Sequence, residues 1–397
     1  MKRYRGLIVA VILVLGLGGT GYGSDPSRVV VDQWEIPFLN AWTGPAAGYG
    51  ILCDYFQKTA VEEINAAGGI AGKPLVMKPC DTSMDPTRSA SCMKQAMDES
   101  LIVLGPMTSL AAQICAPVAA RAEVFCLPPI CGVETIQSAR PWAVALQTPN
   151  KVRARFTLKT WFDMYPDIGS VVMLGVPKVA QWKALGVQQE RYCEERGIKV
   201  LDDIDVAAGG VDYASVVIRA LKARPDAIIL RVFPPDTVRL VSELENRGFK
   251  DKGKIFAHSS ADSPEMYTMS AQSGGVMNGV HIGAFSRALN NDSYRKLLAG
   301  MKKMKGQENA NKLMWGDTFY VSTYMIKEAI EKTGVTGDPD KRKAERAMLK
   351  DYINSVKDFD SRIWGRISAQ PDGSFNLPLY FGVIENNQLK YLKSSKD

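Results

Sequence analysis

From Trp34 onward the chain alternates short apolar runs with longer stretches whose apolar residues recur at helical spacing. "WEIPFL" (34–39) reads as a strand. Ile51/Leu52, Tyr55/Phe56, Ala60 and Ile64 then fall on one helical face, and Gly68 and Gly69 stop the helix. "PLVMKP" (74–79) is a second strand. Asp85 and Pro86 follow as N-cap and first helical residue of "DPTRSASCMKQAMDE". "LIVLGP", "VFCLPP" and "WAVALQT" (142–148) read as further strands, with "TSLAAQICAPVAARA" and "KVRARFTLKTWFDMY" as helices. The rhythm restarts at "GSVVMLGV" (169–176) and continues through the strands "IKVLDDIDV", "DAIILRVF" and "KIFAHSS", with a helical pattern between each pair. After about residue 285 come three long helical patterns, interrupted at "TGVTGDPD", and then strand-like pieces in "GRISAQ", "LPLYFGVIE" and "LKYL". Such alternation predicts an α/β chain with parallel sheets covered by helices on both faces, and two runs of it predict two doubly wound lobes.

Gly16, Gly18 and Gly21 spell G-x-G-x-x-G after an apolar run, the pattern of a dinucleotide-binding turn. That turn must open a helix, so that a pyrophosphate can sit on its N-terminus. Here the following residues are the turn formers Gly23, Ser24, Asp25 and Pro26, and then Val29–Val31. The stretch reads instead as a secretory signal over 1–23. Lys2, Arg3 and Arg5 form the basic region, Leu7 to Leu17 the apolar core, and small residues lead to a cleavage site near Ser24. Its core is shorter than the ~20 residues needed to span a membrane, and no cysteine precedes Cys53 to carry a lipid. The expected location is the periplasm.

Three of the positive charges behind the net +7 belong to that signal, so the remainder stands near +4, too mild to argue for nucleic acid. Export brings an oxidising compartment, and seven cysteines leave at least one unpaired. Most lie in apolar runs and read as small buried hydrophobes. No CxxC pair occurs, and His258 and His281 are the only histidines, so no metal site or cofactor is expected and histidine-based catalysis has little to work with.

In open parallel sheets ligands bind beyond the carboxyl ends of the strands. At this level the chain resembles the periplasmic solute-binding proteins of the leucine/isoleucine/valine-binding type, which serve ABC importers. The resemblance is carried by "TGPAAGYG" (43–50), "EEINAAGGIAGKPL" (62–75), "DPTRSAS" (85–91) and "RPDAIILRVFPPDTVRLVSELENRGF" (224–249), and it covers roughly residues 33–395. It implies two Rossmann-like lobes joined by three crossovers, 31–148 plus 286–365 and 149–285 plus 366–397, closing on a small ligand. The implied partners are that ligand and the permease subunits of an inner-membrane ABC importer, with the binding protein itself a monomer.

The resemblance also implies ligand positions. In the first lobe these are Tyr49, with Trp42 on the same loop, and Ser109, whose place at a helix start suits a carboxylate; a plain helix cap is the other reading of Ser109. Pro129 and Cys131 stand where the family offers a carbonyl and a hydroxyl. In the second lobe the matching tyrosine falls on Gln181 or Trp182, and a further aromatic on Phe233. Arg231 replaces a small residue; it is read either as a bidentate clamp for a carboxylate or as a surface arginine in an ion pair. The acid that holds a ligand ammonium is matched by Ser260 or, with a longer loop, by Asp262. The ligand is then a branched-chain or other hydrophobic amino acid, or an aromatic acid or amide without an ammonium group. An enzyme on the same architecture finds no GxSxG, P-loop or metal motif; a periplasmic sensor would carry the same cleft.

Overall fold

The computed structural model describes residues 28–44, 47–177, 179–284, 291–308, 310, 313 and 316–395. The run read as an export signal, 1–23, lies outside the described residues. The first lobe holds a four-stranded parallel sheet of β1 (Trp34–Asn40), β2 (Leu75–Asp81), β3 (Ile102–Leu104) and β4 (Phe125–Leu127), ordered β2-β1-β3-β4. Its connections are α1 (Ala47–Ala66), α2 (Pro86–Met97) and α3 (Ser109–Arg121).

The second lobe begins with α4 (Asn150–Met164) and continues β5 (Ser170–Gly175), α5 (Ala180–Glu195), β6 (Lys199–Asp205), α6 (Ala214–Lys222), β7 (Ala227–Arg231), α7 (Pro234–Asn246), β8 (Ile255–His258), α8 (Pro264–Gln272) and β9 (His281–Ala284). The chain returns to the first lobe for α9 (Asp292–Met301), α10 (Asp317–Thr333), α11 (Arg342–Ser355) and the short pair β10 (Phe359–Asp360) and β11 (Arg366–Ile367). It ends in β12 (Tyr380–Glu385) and β13 (Gln388–Ser394), which complete a seven-stranded sheet ordered β13-β12-β9-β8-β7-β5-β6. Three crossovers therefore join two doubly wound lobes.

Both sheets are covered on two faces, which is why their strands read as near-continuous apolar runs. In the first lobe Trp34, Ile36 and Phe38 pack under α1, α10 and α11, while Leu39, Val103 and Cys126 meet α2 and α3. In the second, Val172, Leu174, Ile228 and Leu230 face α6, α7 and α8, and Val171, Met173, Ile229 and Phe256 face α4 and α5.

Local chemistry places the element ends. Asp85 accepts the N–H of Arg88 and Pro86 opens α2, and α10 stops at Gly334 in the left-handed region (φ 66°). Cys80 and Cys92 form a disulfide between β2 and α2, and the other five cysteines are buried thiols.

Three elements depart from the sequence reading. Residues 142–148 form no strand. Only Ala143 bridges to Cys126, and beyond it Ala145 N–H turns to Gly373 O as the segment leaves the sheet to cross between lobes. Between β8 and the second lobe crossing, α8 and β9 add a helix and a strand too short to announce themselves by period. The last crossover falls after Leu377 rather than at 366, because Ile367, Phe375 and Leu377 belong to the first lobe's core.

Candidate ligand site between the lobes

On the first lobe, the loop after β1 is tied down. Trp42 stands edge-on to Phe38 at 5.2 Å, and its N–H reaches Asp81 Oδ1 at 3.0 Å. Partial burial would raise the Asp81 carboxyl, but hydrogen bonds from Thr43 and Ser83 outweigh it and bring the pKa down to about 2. Tyr49 sits in the first turn of α1, partly exposed. Burial and then the charge of Glu265, from α8 of the other lobe, raise its phenol.

Ser109 is the first residue of α3, but the cap is Thr108, whose Oγ1 accepts Ala111 N–H at 3.3 Å. The plain-cap reading of Ser109 is thereby replaced. Its half-buried hydroxyl stands at a helix N-terminus whose first N–H groups lack intrahelical acceptors. The turn after β4 is less open than expected. Pro129 is buried, and Cys131 is wholly buried with its thiol on Pro128 O at 3.3 Å. Burial pushes that thiol well up. Cys131 therefore packs into the alanine-rich layer against α3 and offers the cleft no side-chain donor.

On the second lobe both readings of the loose alignment find a place. Gln181 Nε2 donates to Gln147 Oε1 at 2.7 Å, and Gln147 Nε2 donates to Ile130 O at 3.0 Å. This chain joins the start of α5, the first crossover and the turn after β4. Trp182 points to Phe233, 4.7 Å between ring centroids, and to His258 at 5.4 Å. Phe233 is the N-cap residue of α7 and keeps about a third of its surface open.

Arg231 is neither a cleft clamp nor a surface residue. At 3% exposure it lies between β7 and α5, with Nη2 on Asp203 Oδ1 at 2.6 Å and Nη1 on Gln189 Oε1 at 3.2 Å. Gly175 and Gly186 make room for it; a Cβ on Gly186 would stand 2.2 Å from Nη1. The two candidates for an ammonium-binding position are also committed inward. Ser260 Oγ donates to Val232 O at 3.1 Å and lies 2.9 Å from His258 Nδ1. Asp262 is buried and accepts the hydroxyl of Tyr267, whose own pKa is driven far up by burial and by that carboxylate.

The sequence reading missed a polar group beneath these rings. Arg153, one turn into α4, is buried and donates to Asn150 Oδ1 at 3.1 Å and to His258 Nε2 at 3.1 Å. Arginine can only donate, so Nε2 accepts; on the other side of the ring Nδ1 meets the backbone N–H of Ser260 at 3.1 Å and its Oγ at 2.9 Å, and Ser260 Oγ donates to Val232 O. Burial, then the charges of Arg153 and Arg231, hold His258 well below its usual pKa, so the ring is neutral. Burial lowers Arg153 to about 9, against the pull of Glu134, and leaves it cationic at neutral pH. Two buried atoms nearby in sequence, Asn150 Nδ2 and Ser259 Oγ, have no partner among the described residues, and a polar solute is one way such groups are satisfied. The available signal was Asn150 after the "TP" turn: a polar residue at a helix start, at a crossover, with an arginine one turn on.

The arrangement can hold a small polar-ended solute; the Ser260 hydroxyl beside the His258 ring is buried and turned to Val232 O. Among the described residues no group of three or more His, Cys, Asp and Glu could hold a metal, and no helix is long and apolar enough to cross a membrane. A groove of about 830 Å³ lined by β1, the second half of β2 and the end of α2 contains none of these groups.

Comparison with known proteins points the same way. The family described as "Periplasmic binding protein" matches residues 33–388. The Leu/Ile/Val-binding protein BraC3 of Rhizobium johnstonii is 24% identical over 53% of this chain and 58% of its own length. A leucine-, isoleucine-, valine-, threonine- and alanine-binding protein of Pseudomonas aeruginosa is 22% identical over 79% of this chain and 82% of its own. Among solved structures, the branched-chain amino acid transporter substrate binding protein LivJ of Streptococcus pneumoniae, in complex with isoleucine, superposes with a TM-score of 0.72 at 17% identity, over 91% of this chain and 98% of that one. A solute binding protein of an ABC transporter from R. palustris, in complex with benzoate, gives 0.71 at 13% identity, over 91% and 96%.

Proposed function

The chain belongs to the periplasmic binding protein family, and from that premise we propose that it is the exported, monomeric solute-binding subunit of an ABC importer, taking a small carboxylate with an apolar body into the cleft between its lobes. The family is one of solute-binding, non-catalytic proteins, and its members deliver to a membrane permease. The observation that carries the reading is the bridge Gln181–Gln147–Ile130, which brings the loops at the carboxyl ends of the two sheets together. Ser109 and the N-terminus of α3 supply the anion end. Phe233, about a third exposed and backed by the buried ring of Trp182, supplies a surface for the body of the solute, and Tyr49 and Trp42 stand on the opposite rim. The lobes divide at 148 and 285, with the last boundary moved to Leu377.

The ring surface also favours an aromatic acid as the solute, in line with the benzoate complex of the R. palustris protein. Titration calorimetry of the unliganded protein with leucine, phenylalanine and benzoate tests the reading. Ser109→Ala removes one hydrogen bond to a charged group, ~1.5–3 kcal/mol, or roughly a 10- to 150-fold loss of affinity. Unchanged affinity in that variant would remove Ser109 from the site.

A further inference from the structure

Asp81 is the last residue of β2 and pairs in register with Asn40, the last residue of β1. Both side chains hold neighbouring loops. Asn40 Nδ2 donates to Gly50 O at 2.8 Å, in the first turn of α1, and Asn40 O accepts Thr82 N–H at 2.8 Å. Asp81 Oδ1 accepts the N–H groups of Trp42 and Ser83 at 3.0 Å and of Thr43 at 3.4 Å. Its Oδ2 lies 2.6 Å from Thr43 Oγ1 and 3.0 Å from Ser83 Oγ, and these two hydroxyls are 2.5 Å apart. One partly exposed carboxylate thus fastens the loop after β1 to the loop after β2. The backbone around it is correspondingly tight. Ser83 and Met84 take positive φ (50° and 59°), and a Cβ on Gly44 (φ 80°) would stand 2.4 Å from Ser83 O. Gly44 O then accepts Ala47 N–H at 3.1 Å, where α1 begins just ahead of Tyr49.

We propose that Asp81 is the positioning residue of the first-lobe rim: through Trp42, Thr43 and Gly44 it fixes the start of α1, so that Tyr49 meets the solute already in place. The assignment rests on the cleft being the solute site. Asp81 does not touch the solute in this role; it acts through the loop. Bonds to a carboxylate are about twice as strong as those between neutral groups. A loop held before binding has little ordering left to undergo when the solute arrives, and that saving appears as affinity. The Cys80–Cys92 disulfide lies next to Asp81 in the chain, but the clamp runs from loop to loop, and Arg88 of α2 stands off at 3.6 Å. The carboxylate, rather than the disulfide, holds the rim.

The test uses the full exported chain, unfolded and refolded to strip bound solute, as wild type, Asp81→Asn, Tyr49→Ala and the double variant. Asparagine keeps the shape of the side chain but loses the charge and one acceptor oxygen. Amide hydrogen exchange at Trp42 and Thr43 should quicken by about tenfold or more in Asp81→Asn, while β1 and β3 keep their protection. Calorimetry with leucine, phenylalanine and benzoate should show about tenfold weaker binding of whichever of them wild type takes. Asp81→Asn should add nothing to Tyr49→Ala, because both act through the same ring. Thr43→Val removes the shortest bond to the carboxylate; it should move both readouts the same way by less, and it replaces Asp81→Asn if that variant does not fold. Unchanged exchange would show that the carboxylate does not hold the loop. Faster exchange with affinity within twofold of wild type, or equal losses of affinity with and without Tyr49, would show that the clamp does not serve the site. Each of these results overturns the assignment and leaves the cleft reading standing. If no probe binds wild type, or Tyr49→Ala binds as well as wild type, the cleft reading falls at this rim and the assignment with it.

Discussion

At His258, burial and two neighbouring guanidinium groups act in the same direction. The ring is held neutral in the fold, while in the unfolded chain it takes a proton near pH 6.5. Its contribution to stability is therefore complete above about pH 6.5 and is lost as the pH falls below it, because the unfolded state then binds the extra proton. His281, buried against Tyr165 and Phe381, is lowered too and adds to the trend. Urea unfolding between pH 7.5 and 5.5 should show stability falling below pH 6.5 by up to ~1.4 kcal/mol per pH unit for each histidine. His258→Asn should flatten that slope; the same slope in the variant would show that His258 is not held neutral.

The same residue-scale physics decided what could be foreseen of the site. The resemblance implied the aromatic positions Trp42, Tyr49, Trp182 and Phe233, each shortly after a strand. It did not imply side-chain direction. Arg231 and Cys131 sit on the predicted loops, yet one turns to Asp203 and the other into the alanine layer, because room for them is made by residues far away in sequence, Gly186 among them. Arg153 and Glu134 became visible only when the first crossover brought α4, the turn after β4 and α5 to one place.

Among the elements, those with strong punctuation were readable in advance. Asp85–Pro86 opens α2, and paired apolar positions mark α1. The misreading of 142–148 as a strand has a simple cause: an apolar run can be buried by a crossover as well as by a sheet. Cysteine pairing was not readable, since spacing does not report which thiols meet; Cys80 and Cys92 meet because α2 lies back over β2. The bond closes a loop over a sequence separation of 12, and a loop of that size is worth ~3 kcal/mol through the unfolded chain. Replacing both cysteines with alanine should lower the unfolding free energy by about that amount under oxidising conditions and leave solute affinity within twofold. A loss of binding equal to the loss of stability would mean that the β2–α2 unit shapes the cleft directly.

For the whole molecule, the alternation of strand and helix and its restart near residue 169 were enough for two doubly wound lobes. The exact place of the last crossover was not, because β10, β11 and the turns around Phe375 carry no period and are held by packing on the first lobe's core. The central claim is that these lobes enclose one small solute. Mass spectrometry of the exported protein, isolated without denaturation and then unfolded, addresses it most directly. One small molecule per chain should be released from wild type, and little or none from Trp182→Ala protein that folds normally. A wild-type chain isolated with no solute and binding none from a periplasmic extract, or a Trp182→Ala chain releasing the same amount, would contradict the account.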